Sequence, residues 1–219
     1  MLLLAVACGG VIIYDVFSKR NSFPPLTDAI EGIGFVALAL YGALKVGAPS
    51  PLSYILAITF GIFINFITGI ILGIADVEGD LKGNALTTPI WFGVRPMENS
   101  GLPFIPRSFT IFGLLQIFAL VFINCFPIVR NEFGYSPMLL TLIMSVVALL
   151  FIAIFRHTIP FLIFGPVWQK KPQESELDVI AAYSVLILIV SYFFYLATSW
   201  LILLVVCVVT PLAISKLIK

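Results

Sequence analysis

The sequence predicts an all-α, polytopic transmembrane helix bundle of about six spans, and three observations lead there. Hydrophobic residues make up 61% of the 219-residue chain. Charged residues make up only 11%, against about 25% in an ordinary soluble domain. The charges also fall in a few short clusters between long uncharged stretches. The apolar residues outnumber what an interior could hide, so the surplus must face lipid, and the charged clusters mark the loops.

The elements follow from length and from the charges that interrupt them. The apolar start, 1–14, lacks the basic region of a signal peptide. About 14 residues rising about 1.5 Å each reach about 21 Å, short of a hydrocarbon core of about 30 Å. The chain therefore reads as if it begins part-way through a helix. Spans are expected at 29–48, 51–75, 108–129, 136–155 and 178–197. The run 200–214 follows almost at once; joined to its predecessor it is too long for one crossing, which predicts a turn near 197–200. Pro49 and Pro51 punctuate one tight connection and 131–137 another. With no soluble domain, repeat or low-complexity tract in view, 1–219 reads as a single transmembrane domain.

The net charge of +1, without a basic block, gives no electrostatic support to a nucleic-acid partner. Cys8, Cys125 and Cys207 lie far apart in apolar stretches and read as packing residues. Alternating sides along the map puts the loops 15–28, 76–107 and 156–178 on one face. Lys19, Arg20, Lys82, Arg95, Arg107, Arg156, Lys170 and Lys171 all fall there, and only Lys45 and Arg130 fall opposite. The positive-inside rule makes the rich face cytoplasmic, which places the protein as multi-pass in a cell's inner (plasma) membrane. Most acidic residues share that face, so the chemistry is expected there.

The stretch 73–89 is the most informative. If the helix over 51–75 runs one turn further, Asp76 and Asp80 are i,i+4 neighbours on one face. Two carboxylates at a helix C-terminus meet the negative end of the macrodipole and each other, a cost that a bound cation offsets. Mg2+ suits such a site, because it is commonly held by one or two carboxylates plus substrate phosphates. A metal-bridged diphosphate is then the natural ligand, with Lys82, Arg95 and Lys19 supplying positive charge to its oxygens. Asn65 lies eleven residues before Asp76, about three α-helical turns, and is expected to face the same cavity from deeper in the bilayer. Other readings stand beside these. Asp76 and Asp80 also fit a solvated loop, Asn65 a hydrogen bond to a neighbouring helix, and Lys19 and Arg20 a role in topology alone.

The stretch from Asp76 through Asp80 to Thr87 resembles the second aspartate-rich motif of the UbiA-type intramembrane prenyltransferases, an Asp-x-x-x-Asp followed by a glycine and a threonine. Upstream, Tyr14, Asp15, Ser18, Lys19 and Arg20, followed by Pro24, Pro25 and Leu26 and a helix with Gly32 and Gly34, are similar to the segment between that family's fourth and fifth helices. The resemblance covers most of the chain and weakens after about residue 130. It implies a helical bundle around a cavity open to lipid, in which magnesium-bound isoprenyl diphosphate ionises and an aromatic or lipid acceptor captures the carbocation. It further implies that Asp76 and Asp80 are the catalytic magnesium ligands. Lys82, with Lys19 or Arg20, then contacts phosphate. The family's first aspartate-rich motif has no counterpart here. On this alignment about three N-terminal helices are missing and the domain is N-terminally truncated, through a misassigned start, a truncated gene, or a split gene whose partner chain supplies them.

Two functions follow: an Mg-dependent prenyltransferase, incomplete as this chain alone, or a catalytically inactive scaffold or lipid-binding subunit. A CDP-alcohol phosphotransferase would need a glycine-alanine-arginine signature that is absent. A small transporter is disfavoured by the expected absence of ionisable residues in mid-span, where Asn65 and Asn124 are polar but uncharged.

Overall fold

The computed structural model describes residues 1–18, 22–96, 103–132, 134–145, 148, 149, 152 and 156. The expected spans at 178–197 and 200–214, and the sites Lys19 and Arg20, lie outside the described residues. The chain divides into two compact units, and the division between them falls after Ile123.

In the first unit, α1 (Leu2–Phe17) is a short apolar helix. Helix α2 (Pro24–Val46) opens with prolines in its first turn, where a missing N–H costs no intrahelical bond. Its first turn is tied by Thr27 Oγ1, which donates to the Pro24 carbonyl at 2.7 Å. Pro49 and Pro51 flank the cap of α3 (Pro51–Asn65). There Ser50 Oγ accepts from the Ser53 backbone N–H and Ser53 Oγ accepts from that of Ser50, so two otherwise unsatisfied donors are paired.

Helix α3 does not stop where it leaves its apolar run. It passes through a π-helical segment, Phe66–Leu72, into α4 (Gly73–Lys82). Gly83 caps α4, and Asn84 takes a left-handed φ of 51° to turn the chain. A one-turn helix, α5 (Thr88–Trp91), precedes Gly93, whose φ of 93° favours glycine. Two short strands, β1 (Arg95–Pro96) and β2 (Pro103–Phe104), pair antiparallel with Arg95 opposite Phe104. Helix α6 (Arg107–Val129) then runs across the division into the second unit. In that unit the Asn131 side chain accepts from the Tyr135 N–H at 2.8 Å and donates to its carbonyl, closing the turn before the helical residues 137–145.

Among the described residues, three helices are long and apolar enough to cross a membrane: Pro24–Val46, Pro51–Leu72 and Arg107–Val129. The large apolar side chains left exposed on them, such as Ile33, Leu115, Phe118 and Phe122, are what lipid contact requires. Lipid tails are as apolar as leucine, so close packing must hold the helices together. Helix α1 packs on α2 and α2 on α3. Glycines mediate both contacts: a Cβ on Gly10 would lie 2.9 Å from the Gly34 Cα, and one on Gly61 would lie 2.6 Å from the Gly32 carbonyl oxygen. The core sits on the inner side of the α3–α4 rod, where Phe66, Ile70, Ile71 and Val77 are buried.

Two expectations need correction. The segment 15–28 is not a loop throughout: α1 continues to Phe17 and α2 begins at Pro24, so Asp28 is inside a helix. Ionisable side chains are also not confined to loops, because Glu31 lies within the Pro24–Val46 span and is buried. Both carboxylates escape the charge-marks-a-loop rule by accepting hydrogen bonds from threonines remote in sequence.

Candidate functional site: an acidic cleft at the end of the helices

The extension of the α3 rod to Lys82 carries Asp76 and Asp80 one turn apart along α4. Both line one cleft of about 170 Å³. The remaining walls come from Tyr14 and Ser18 at the end of α1, Asp28 on α2, Thr68, Gly69 and Leu72 of the π segment, Gly73, and Thr87, Thr88 and Pro89 around the start of α5. Asp76 is exposed, whereas Asp80 is only 8% exposed. Each i→i+5 turn holds an extra residue relative to an α-turn, and such segments occur often at functional sites. Here the π segment presents both a hydroxyl, Thr68, and a side-chain-free wall, Gly69, to the cleft.

Two carboxylates on α2 adjoin this cleft. Thr88 Oγ1 donates to Asp28 Oδ2, and Thr68 Oγ1 donates to Glu31 Oε2 at 3.1 Å while also bonding the Ile64 carbonyl. Asp28 is 5% exposed and Glu31 8%. Neither is among the sites expected from sequence. The signal that could have found them is chemical: two acids one turn apart, directly after a proline pair that starts an apolar helix.

The other expected site residues are placed elsewhere. Lys82 Nζ pairs with Glu78 Oε1 at 2.7 Å, with both side chains more than 70% exposed, and it does not line the cleft. Arg95 is exposed and lies over the Phe104 ring at 5.4 Å. Asn65 accepts a long hydrogen bond from Gln116 Nε2 of α6 at 3.5 Å and is absent from the cleft lining. This is the helix-to-helix role that was one of its two readings.

The lining donors suit a hard cation. They are carboxylates and hydroxyls, with no histidine or cysteine among them. Thr87 Oγ1 is buried against the cleft without a hydrogen-bond partner. Among the described residues no group of three or more His, Cys, Asp or Glu side chains is close enough to hold a metal by protein ligands alone. A cation held here would take further oxygens from water or a bound phosphate, as magnesium commonly does.

Fold and site together define a helical protein with membrane-length apolar helices and an acidic, hydroxyl-rich cleft where one helical rod outlasts its apolar run. No protein-family model, curated protein or solved structure matches the chain.

Proposed function

We propose that this chain is a prenyltransferase-like membrane protein that binds an isoprenyl diphosphate through Mg2+ held by Asp76 and Asp80. The observation that carries the reading is the shared placement of these two aspartates in an oxygen-lined cleft beside long apolar helices. Their likeness to an aspartate-rich prenyltransferase motif adds the substrate class. When bound, magnesium would neutralise phosphate charge and favour departure of diphosphate. The chain's own residues do the rest. Asp76 and Asp80 anchor the charged head at the end of the bundle, and the hydroxyls of Tyr14 and Thr87 offer donors to anionic oxygens. The apolar helix surfaces accept the isoprenyl tail. The acceptor for the isoprenyl group is aromatic or lipid, reached from the cytoplasmic face of a cell's inner membrane.

A scaffold or lipid-binding subunit is the second reading, favoured by one observation: no described Lys or Arg lines the cleft. Departing diphosphate ordinarily needs such charge. The test uses detergent-solubilised full chain and a non-hydrolysable isoprenyl diphosphate analogue. Binding should tighten on adding magnesium, and Asp76→Ala or Asp80→Ala should abolish that increment. Binding indifferent to both metal and mutation would return the aspartates to a solvated helix end. Metal-dependent binding of the authentic diphosphate with no diphosphate release, even with an aromatic or lipid acceptor present, would select the scaffold.

A further inference from the structure

Asp28 is a buried carboxylate that the reading above leaves without a task. It sits in the second turn of α2 and is 5% exposed, yet it borders the cleft. Its Oδ2 accepts from Thr88 Oγ1, a bond that spans 60 residues of sequence and is buried on both sides. Thr88 itself is 2% exposed and opens α5, directly after the turn that follows α4.

The glycines explain why this bond can form. A Cβ on Gly69 would lie 2.7 Å from Asp28 Oδ2 and 3.3 Å from Asn65 Oδ1. A Cβ on Gly73 would lie 2.9 Å from Pro89 Cγ and 3.1 Å from its Cδ. Gly69 and Gly73 therefore cut a notch in the rod. The Asp28 carboxylate fills one end of the notch and the Pro89 ring the other, with Thr88 bonded between them. The connector from α4 is tied at its near end as well, where the Ala85 N–H donates to the Asp80 carbonyl at 2.8 Å. A segment carrying the partnerless Thr87 hydroxyl is thus held at both ends, and its far tie runs through Asp28.

We propose that Asp28 is a positioning residue. Through Thr88 it seats the 83–89 connector in the Gly69–Gly73 notch, so that this connector forms the wall of the cleft facing Asp76 and Asp80. The structural part of this proposal stands on its own contacts. Its consequence for ligand affinity rests on the diphosphate-binding reading. A hydroxyl bond to a buried carboxylate is among the stronger single hydrogen bonds, so its loss should release the connector and not merely soften it.

Amide hydrogen exchange and analogue binding, measured on the same full-chain preparations, separate the two parts. In ligand-free protein, Thr88→Val and Asp28→Ala should each speed exchange over 83–89 by roughly tenfold or more, with exchange in α3 and α6 unchanged. Thr88→Ser, which keeps the donor, and Asp28→Asn, which keeps an acceptor, should restore protection. Uniform loss of protection across all helices in Thr88→Val, or Asp28→Asn as damaging as Asp28→Ala, would overturn the positioning role. The second result would mean that Asp28 acts through its charge. In the binding arm, Thr88→Val should weaken the magnesium-dependent increment by about tenfold and Thr88→Ser should recover it. An increment unaffected by Thr88→Val in a protein whose connector has lost protection would show that the wall does not serve the ligand. A wild type with no magnesium-dependent increment would fail the diphosphate reading, and the exchange arm would then decide the positioning role alone.

Discussion

Gly61 is the position where the close approach of helices can be tested with least ambiguity. A Cβ placed there would sit 2.6 Å from the Gly32 carbonyl oxygen and 2.5 Å from Val36 Cγ2, whereas ordinary contact begins near 3.4 Å. The Val36 methyl can turn aside. The backbone carbonyl of α2 cannot, so α2 and α3 must part by roughly 0.8 Å along their contact, and a gap of that size forfeits a quarter to a half of each dispersion well. Overpacking of this kind costs about 1–3 kcal/mol, and in lipid no hydrophobic gain offsets it. Gly42 on α2 is the control, because a Cβ there meets nothing within 4 Å. Alanine at that site should stabilise by about 0.5–1 kcal/mol through helix propensity alone. The same chemical change should therefore move stability in opposite directions, separating the two melting temperatures by roughly 5–10 °C for a chain of this size. Thermal unfolding in one detergent, followed by circular dichroism, is the assay. Gly61→Ala melting with or above wild type would refute the claim that this glycine pair sets the helix spacing.

Three further outcomes follow from the site. Cysteines replacing Ser18 and Asn84 should be labelled from the same, cytoplasmic side in intact cells. Ser18 borders the cleft, Asn84 lies in the connector between Asp80 and Thr87, which also border it, and the stretches 15–28 and 76–107 that hold them carry many of the basic residues of the sequence; labelling from opposite sides would break the topology. Lys82→Ala should change stability by no more than about 0.5 kcal/mol, because an exposed i,i+4 pair contributes little and salt screens it. A larger loss in chemical denaturation would mean that the pair is more shielded than its exposure indicates. Glu31→Gln keeps an acceptor for Thr68 and should fold, whereas Glu31→Leu leaves that hydroxyl with only its own helix carbonyl. The leucine variant should melt below the glutamine variant by an amount corresponding to about 1 kcal/mol, and equal melting would show that the Thr68 bond contributes nothing.

The sequence made the long apolar helices legible because hydropathy over some twenty residues reflects a solvent, not a partner. The runs 51–75 and 108–129 correspond closely to Pro51–Leu72 and Arg107–Val129. It also made Asp76 and Asp80 legible, since an i,i+4 pair needs only a helix that continues, and α4 does continue through both. What it concealed depends on tertiary pairing. Asp28 looks like a loop charge, and Glu31 like a stray acid at the start of the expected span 29–48, until Thr88 and Thr68 are brought to them from 60 and 37 residues away. The sequence left two readings for Asn65, and what decides its direction is the winding between it and Asp76. Its alignment with Asp76 assumes 3.6 residues per turn throughout, but the seven residues Phe66–Leu72 between them are π-helical and wind more slowly. Asn65 therefore turns to Gln116 while Asp76 reaches the cleft.

That mismatch is itself testable. Because each π turn holds an extra residue, the seven residues Phe66–Leu72 wind through about the same angle as six α-helical ones. Deleting Ile67, a half-buried residue of the segment, should therefore let the rod relax to α-helical winding while α4 keeps its orientation, and the magnesium-dependent increment in analogue binding should largely survive. Inserting one alanine between Leu72 and Gly73 in the parent chain instead turns α4 by about 100° relative to α3. That rotation carries Asp76 and Asp80 off the cleft wall together, so the increment should disappear while the helical circular dichroism of the parent is retained. An increment lost on deletion, or unchanged by the insertion, would mean that the winding of the π segment has no part in aiming the aspartates.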